Sequence, residues 1–449
     1  MKTIVRLKNI SLKNIKNIKS GVITTNSLFT SMQKADVIGI YGSNGSGKTT
    51  VIEACNLLKT LLSCSRLPQN SEYLLQSGQN EMELAFCFLI NNKFGEYTVN
   101  YTSTLIQNKD KENPENNRLQ VIKENISYKE NIFRKQYKMI VEKNLNKILI
   151  RNKSPETLEN KYQIKILLAD DKSAHYQQSF IFAQELQETY AFLLTEIEQE
   201  ILINIQQDFN RNLFIINDRD NGLVLSNLVM PFNIFTQQAH GNLPLNINGS
   251  MVLHTKLYHA IEKAINQINR VIDTLVPHLH IEIKNIAQET LENGEEGIRF
   301  ELLSERNNIK LPLKCESAGV IKLISILSSL IAVNNNPNAC VLIDELDSGI
   351  FEYLLGNIIS SINENGKGQL LFTSHNLRAL EVLNSKNIWF TTTNNKNRFI
   401  QIKGSKRNSN IRDMYIRAVQ LGGQTEDLYE EASAYKMKKG FSKAGEIND

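Results

Sequence analysis

One stretch constrains this chain more than any other: residues 36–50, DVIGIYGSNGSGKTT, an apolar run that breaks into glycine and ends in Lys-Thr. Gly42, Gly47, Lys48 and Thr49 stand at the G-x-x-x-x-G-K-S/T spacing of a phosphate-binding loop. Such a loop must turn several backbone N–H groups inward around an anion, and Gly42, Gly45 and Gly47 permit a path that a Cβ would obstruct. The spacing predicts a strand over 36–41, a cradle of Gly42, Ser43, Asn44, Gly45, Ser46 and Gly47, and a helix over about 48–62 that opens on Lys48, Thr49 and Thr50. Lys48 is then placed to reach the β- and γ-phosphates of a nucleotide, Thr49 to hold Mg2+, and the positive end of the helix dipole points at the same charge.

The chain has 449 residues, 41% of them hydrophobic, enough for two or three domains with a real core. Its 51 basic and 47 acidic residues leave a net charge of +4, too balanced to mark a nucleic-acid binder without local patches. Cys55, Cys64, Cys87, Cys315 and Cys340 lack C-x-x-C spacing and several lie in apolar runs, so free buried thiols in a reducing cytoplasm are expected. The longest apolar stretch, near 323–333, is too short to span a bilayer, and no apolar segment follows the N-terminal lysines. The expectation is a cytoplasmic protein with no membrane contact.

Alternation predicts strands over 3–10, 20–25, 81–90 and 96–105, with a polar connection over 107–117. From about 119 the pattern changes to short strands (119–128, 132–141), then a long helical stretch over about 176–207 and a second helix over about 251–276. These read as an inserted lid or short arm, too short for a long coiled coil. Strands return over 278–286, 297–303 and 309–313. The expected division is 1–118 for the first half of the nucleotide domain, 119–277 for the insertion, 278–395 for the second half and 396–449 for a basic C-terminal segment.

The second half supplies the other chemistry. Residues 339–345, ACVLIDE, form an apolar run ending in two carboxylates, a Walker B arrangement on a buried parallel strand. Asp344 would hold Mg2+ through water, and Glu345 would orient or deprotonate an attacking water. Ser317 and Gly319 precede an apolar helix, where a hydroxyl and free N–H groups can meet a phosphate. The strand-like run 370–374 ends at His375, a further site candidate. His278 and His280 share one face of an expected strand, yet two histidines without a third ligand read as structural.

The order of phosphate loop, insertion, Ser317-Ala318-Gly319 helix, Asp344-Glu345 strand and strand-end His375 resembles the ABC-type ATPases of the SMC, RecF and double-strand-break-repair group, over about 1–90 and 278–395. The resemblance implies an α/β fold, a P-loop ATPase head of mixed sheet and flanking helices with an inserted, mainly helical lid. It also implies that Ser317 and Gly319 form a signature, that Asp347-Ser348-Gly349 form a D-loop, that His375 is a switch histidine, and that Gln76 or Gln79 is the Q-loop glutamine. ATP and Mg2+ are the implied cofactors. Two chains would close head to tail, Ser317 of one facing the γ-phosphate held by Lys48 of the other. Val320 and Ile321 depart from the polar residues many relatives carry after the signature glycine. The short insertion resembles the compact ATPases found beside nucleases in bacterial antiphage and abortive-infection operons, as does the segment 411–422.

The expected activity is therefore ATP hydrolysis in a homodimer or higher homo-oligomer that controls a separate effector, a nuclease or toxin, in antiviral defence. The alternative is a DNA repair or recombination ATPase that binds DNA ends or gaps. Basic residues Arg134, Lys135, Lys138, Lys143, Lys147, Arg151 and Lys153, with Phe133 and Tyr137 among them, could track a nucleic-acid backbone or form a solvated face. A second basic group comprises Lys396, Arg398, Lys403, Lys406, Arg407, Arg412 and Arg417, and Lys436, Lys438, Lys439 and Lys443 a charged tail.

Overall fold

The helix that follows the phosphate loop, Lys48–Leu62, is apolar on nearly every side. Val51, Ile52, Ala54, Cys55, Leu57, Leu58, Leu61 and Leu62 are all buried. Such a helix must be covered on both flanks, and in the computed structural model two sheets do so. The structure describes residues 3–108, 118–145, 147–217, 229–235, 240–402, 410–430 and 433–444. One shared core joins Leu7, Leu84 and Phe88 of the first sheet to Ile38, Ile40, Leu342 and Leu371 of the second, with the helix between them.

The first sheet is antiparallel and seven-stranded, in the order Ile18–Thr24, Ile4–Ile15, Glu81–Asn92, Gly95–Asn108, Arg118–Glu130, Lys138–Asn144 and Lys147–Ile150. The strands Arg118–Glu130, Lys138–Asn144 and Lys147–Ile150 extend this sheet, although the expected insertion begins at 119. Arg118–Glu130 alternates buried and half-buried side chains and pairs along its length with Gly95–Asn108, so its register is set by the core face.

The second sheet has the order Phe399–Ile400, Ile388–Thr391, Asp36–Tyr41, Gln369–Ser374, Cys340–Ile343 and Leu213–Ile216, parallel throughout except at the first pair. Leu213–Ile216 comes from the middle of the expected insertion. Its four residues are all buried, the mark of a parallel strand covered on both faces.

The helical region also differs from expectation. The stretch expected over 176–207 is broken into Gln187–Leu193, Glu196–Ile203 and a π-turn over Asn204–Phe209, and is preceded by a helix at Asn160–His175. Thr195 and Glu198 form a reciprocal capping box that starts a new helix there. Met251–His254 forms a strand against Gly297–Phe300, so the next helix starts only at Thr255, where the His254 ring accepts from the Lys256 N–H at 3.1 Å. His278 lies ahead of the His280–Thr290 strand at φ +63, so the two histidines do not share a strand face.

The outer face of the parallel sheet carries the second core, built with the helices Thr255–Leu275, Ala318–Asn335 and Glu352–Asn365. Among the described residues only Ala318–Asn335 is long and apolar enough to cross a membrane, and 67% of it is packed inside the protein. All five cysteines are free. Cys55 and Cys340 are buried, but Cys315 is exposed, unlike the buried thiols expected. Burial pushes the Cys340 thiol up to about 12. The helix Ile411–Leu421 docks through Tyr415, stacked on Phe390 with ring centroids 4.8 Å apart, and a further helix, Ala434–Ala444, follows it.

A buried amide helps to join the two sheets, as does the Trp389 indole, which donates to the Thr24 carbonyl at 3.2 Å. The first-sheet register shifts between Leu7 and Asn9, and there the Leu7 N–H donates to Gln369 Oε1 at 2.8 Å while Gln369 Nε2 donates to the Leu7 carbonyl at 2.8 Å. Gln369→Leu keeps the volume but leaves the Leu7 N–H without a partner, while Thr25 Oγ1 still serves the Leu7 carbonyl. The expected loss, read from urea denaturation, is about 1–3 kcal/mol.

Candidate functional site

Three neighbouring parallel strands end at the same edge of the second sheet, and their loops hold the candidate residues. Asp36–Tyr41 leads into Gly42–Gly47, Gln369–Ser374 into His375, and Cys340–Ile343 into Asp344 and Glu345. Loops at the carboxyl ends of parallel strands are where such sheets bind ligands.

The glycine path is required by geometry. Gly42, Gly45 and Gly47 have φ of +154, +73 and +101. A Cβ on Gly42 would lie 1.6 Å from Thr391 Oγ1. That hydroxyl donates to Ser46 Oγ at 2.7 Å, and Ser46 Oγ donates to the Ser43 carbonyl at 2.7 Å, so the loop is braced by its own serine. Asn17, in the turn between the first two strands, donates through Nδ2 to the Gly45 carbonyl. Lys48 is buried, and its ammonium donates to the carbonyls of Gly42 and Ser43, each at 2.9 Å. Burial lowers its pKa, while Asp344, Glu345 and Asp347 oppose that with their charge. Asn44 and Thr49 are exposed, and Thr50 is buried.

Thr373 organises the acidic side. Its hydroxyl donates to Asp344 Oδ1 at 2.5 Å and accepts from the Glu345 N–H at 2.8 Å. Asp344 is fully buried, whereas Glu345 is half-buried with φ +48, a left-handed conformation that non-glycine residues adopt at a cost. The His375 N–H donates to Asp347 Oδ2 at 3.1 Å, which ties the two loops. The His375 ring has its pKa lowered by burial and by the Lys48 charge, with Asp347 and Asp344 acting the other way.

Ser317 caps the Ala318–Asn335 helix, accepting from the Val320 N–H at 3.4 Å, and is exposed. Gly319 packs on the loop after the carboxylates: a Cβ there would lie 2.1 Å from the Gly349 carbonyl. Gln76 is half-buried, its N–H bonded to the Asn14 carbonyl at 3.0 Å, which attaches it to the same turn region as Asn17. Gln79 is exposed. Sequence reasoning missed Asn17, Thr373, Thr391 and Lys322, whose ammonium donates to the Glu345 carbonyl at 2.6 Å. Thr373 alone left a trace, as a polar residue interrupting the apolar run before His375.

The basic patches are partly structural. Lys143 is buried against Ser173 Oγ (2.7 Å) and Asp170 (2.5 Å), and Arg151 pairs with Glu198 at 3.2 Å. Lys135 and Lys138 reach Glu130 at 3.2 and 3.8 Å. Arg398 is buried, donating to the carbonyls of Thr392 and Asn17 at 2.6 Å each. Lys143 and Arg398 are thus taken up by the fold, whereas Lys135, Lys138 and Arg151 form their ion pairs at the surface. Phe133 remains 85% exposed with the Arg134 guanidinium over its ring. Lys403, Lys406 and Arg407 lie outside the described residues.

The family described as "AAA domain, putative AbiEii toxin, Type IV TA system" matches residues 37–381. No curated protein matches the chain. Among solved structures, an Smc head bound to the C-winged helix domain of ScpA aligns at 13% identity over 88% of this chain and 97% of its own, TM-score 0.44. The SMC head domain from Thermotoga maritima aligns at 12% over 89% and 100%, TM-score 0.40. RecF with ATP, the recombination mediator of the RecFOR pathway, aligns at 14% over 83% and 94%, TM-score 0.33.

The placement of His375 has a direct readout. Its imidazole, followed by NMR, is expected to titrate below the ordinary 6.5, and Lys48→Met to move that midpoint upward by removing a positive neighbour. Because folding depresses this pKa, any stability it contributes is present above 6.5 and is lost as the pH falls through the folded midpoint.

Proposed function

This chain belongs to the AAA-domain family matched over residues 37–381, and we propose that it is a Mg2+-dependent ATPase whose catalytic pocket is completed by a second copy. The observation that carries this reading is the convergence of Lys48, Asp344, Glu345, Asp347 and His375 within electrostatic reach at one sheet edge. A glycine cradle with no room for a Cβ at Gly42, a buried ammonium and a buried carboxylate together fit a magnesium nucleotide.

Each residue then has a role set by its position. Gly42, Ser43, Asn44, Gly45, Ser46 and Gly47 present N–H groups to the phosphates, and the Lys48 ammonium exchanges two loop carbonyls for phosphate oxygens. Thr49 and Asp344 would hold Mg2+, which when bound neutralises charge on the β- and γ-phosphates. Thr50 is buried in the first turn of the helix. Glu345, held by Thr373, orients the attacking water and takes its proton. His375 stays largely neutral at pH 7 and serves as a hydrogen-bonding sensor of the γ-phosphate. Gln76 is the better Q-loop residue because its backbone is tied to the turn region that touches the phosphate loop.

Ser317 and Gly319 lie at the exposed start of a buried helix, on the far side of the Asp347–Gly349 loop, and in this reading they meet the nucleotide of the second copy. ATP is then the adhesive of the interface and hydrolysis releases it. In this reading the ATP-driven cycle controls a separate nuclease or toxin effector in antiviral defence; the family description itself names a putative toxin of a Type IV TA system.

Glu345→Gln is expected to accumulate an ATP-bound dimer, and Lys48→Ala to lose nucleotide binding and stay in the ATP-free state. Size exclusion with light scattering, with and without ATP, reads both. Unchanged elution of both variants would overturn the composite pocket.

A further inference from the structure

The helix Ala434–Ala444 buries none of its residues. The segment before it is nevertheless fixed to the body: Leu428 is buried, the Thr393 N–H donates to the Asp427 carbonyl at 2.8 Å, and Glu426 accepts from the amides of Asn394 and Asn397 at 3.0–3.1 Å. A short helix that touches nothing gains no stability from packing, and helices of this length are marginal alone. Its side chains are sorted all the same. Ala434, Met437, Phe441 and Ala444 recur at spacings of three and four and so share one face, with Phe441 81% and Met437 49% exposed. Lys436, Lys438, Lys439 and Lys443 supply the charge, and residues 434–444 contain no carboxylate.

The same chain carries a feature of opposite character. The short helices Gln187–Leu193 and Glu196–Ile203, the turn at 181–183 and the π-turn Asn204–Phe209 enclose an apolar cavity of about 260 Å3, lined by Phe182, Tyr190 and Leu202, with Ile203 45% exposed. An aromatic ring fits such a space, since an apolar cavity of about 150 Å3 accepts benzene. Gln199 and Gln206 also line it, donating through Nε2 to the Leu194 and Phe182 carbonyls at 2.9 and 3.2 Å. The surrounding stretch, 177–210, holds five glutamates and Asp208 but no lysine or arginine. Glu185, Glu188, Glu198 and Glu200 pair with Lys172, Lys165, Arg151 and Lys93. Glu196 is exposed and in no ion pair among the described residues, and it shares a helix face with Gln199 and Ile203.

We propose that the Ala434–Ala444 helix of one copy docks in this cavity of a second copy, with Phe441 as the anchor and the lysines against the acidic stretch. Charge complementarity selects the occupant: a basic seam with no carboxylate meets an acidic stretch with no base. The seam is also narrow, with only Met437 and Phe441 as large members, which suits a helix laid in a groove better than a lipid surface, where binding scales with buried apolar area. Reciprocal exchange makes the contact twice and closes the pair. The contact involves no residue of the nucleotide site and needs no ATP.

Light scattering without nucleotide, over a range of concentrations, is expected to show wild type passing from monomer to dimer and Phe441→Glu remaining monomeric. A labelled peptide of residues 433–444, followed by fluorescence anisotropy, is expected to bind the Phe441→Glu chain, whose cavity is then unfilled, with an affinity that weakens as salt rises. Binding to a chain carrying both Phe441→Glu and Ile203→Lys is expected to be about tenfold or more weaker. Dimerisation indifferent to Phe441→Glu overturns the proposal, as does a peptide that binds both chains equally. A monomeric wild type also overturns it: the helix then closes on its own cavity if the peptide binds Phe441→Glu but not wild type, or serves a lipid surface if the peptide binds phosphatidylglycerol vesicles and neither chain. Because every arm omits ATP, failure here leaves the composite pocket standing, and failure of that pocket leaves this contact standing.

Discussion

The register between three parallel strands is the constraint on which this site depends. Gln369 pairs with Asp36 and Ser374 with Tyr41 on one side, while Cys340 pairs with Gln369 and Ile343 with Phe372 on the other. With these pairings fixed, the phosphate loop, the two carboxylates and His375 must emerge together. A slip of one residue would turn Thr373 to the opposite face of the sheet and separate its hydroxyl from Asp344 and Glu345. The Gln369 amide, hydrogen-bonded to Leu7 at the base of the middle strand, ties that register to the antiparallel sheet beyond the phosphate-loop helix.

Electrostatics in the site follow from that crowding. Lys48 is buried enough for desolvation to weaken its hold on its proton, and only the carboxylates of Asp344, Glu345 and Asp347 work against the loss. The same ammonium pushes the His375 ring toward its neutral form. Two cations would otherwise compete for one small anionic region, and the arrangement resolves the conflict by keeping Lys48 charged and His375 largely neutral. In the proposed function an incoming phosphate would meet a charged donor and a neutral hydrogen-bonding ring rather than two repelling positive charges.

What the sequence made legible was chemistry that one stretch of chain completes by itself. Gly42 through Thr49 need only their own spacing, and the run from Ala339 to Glu345 announces both burial and its charged end. Leu213–Ile216 escaped because four apolar residues between polar segments carry no period, and only their pairing with Cys340–Ile343 makes them a strand. The reading of 119–150 as part of an insertion rests on the change of pattern after the polar loop, although the alternation of a half-buried strand persists through Arg118–Glu130. Lys143 and Arg398 read as surface charge because a sequence does not reveal that carbonyls, a hydroxyl and a carboxylate await them inside. Thr373 and Lys322 act through groups 28 and 23 residues away, so no local pattern could assign their partners.

Gly319 illustrates how one residue can meet a packing demand whether or not it also serves the proposed contact with a second copy. Gly319 is required within a single chain, since any side chain would strike the Gly349 carbonyl, and its presence alone says nothing about a second copy. Ser317 is different. It is exposed, its hydroxyl accepts from the Val320 N–H at a long 3.4 Å, and the helix behind it is buried from Ile321 through Leu330. A helix so apolar must be covered along its length, yet its N–H groups at the start are left at the surface beside Asp347–Gly349. Packing accounts for the buried body of this helix and for Gly319, and it leaves the polar tip to be explained by what that tip can meet. The Val320 and Ile321 departures follow the same division, because Ile321 faces the core and Val320 packs against it, so their apolar character serves the body of the helix without altering the donors at its tip.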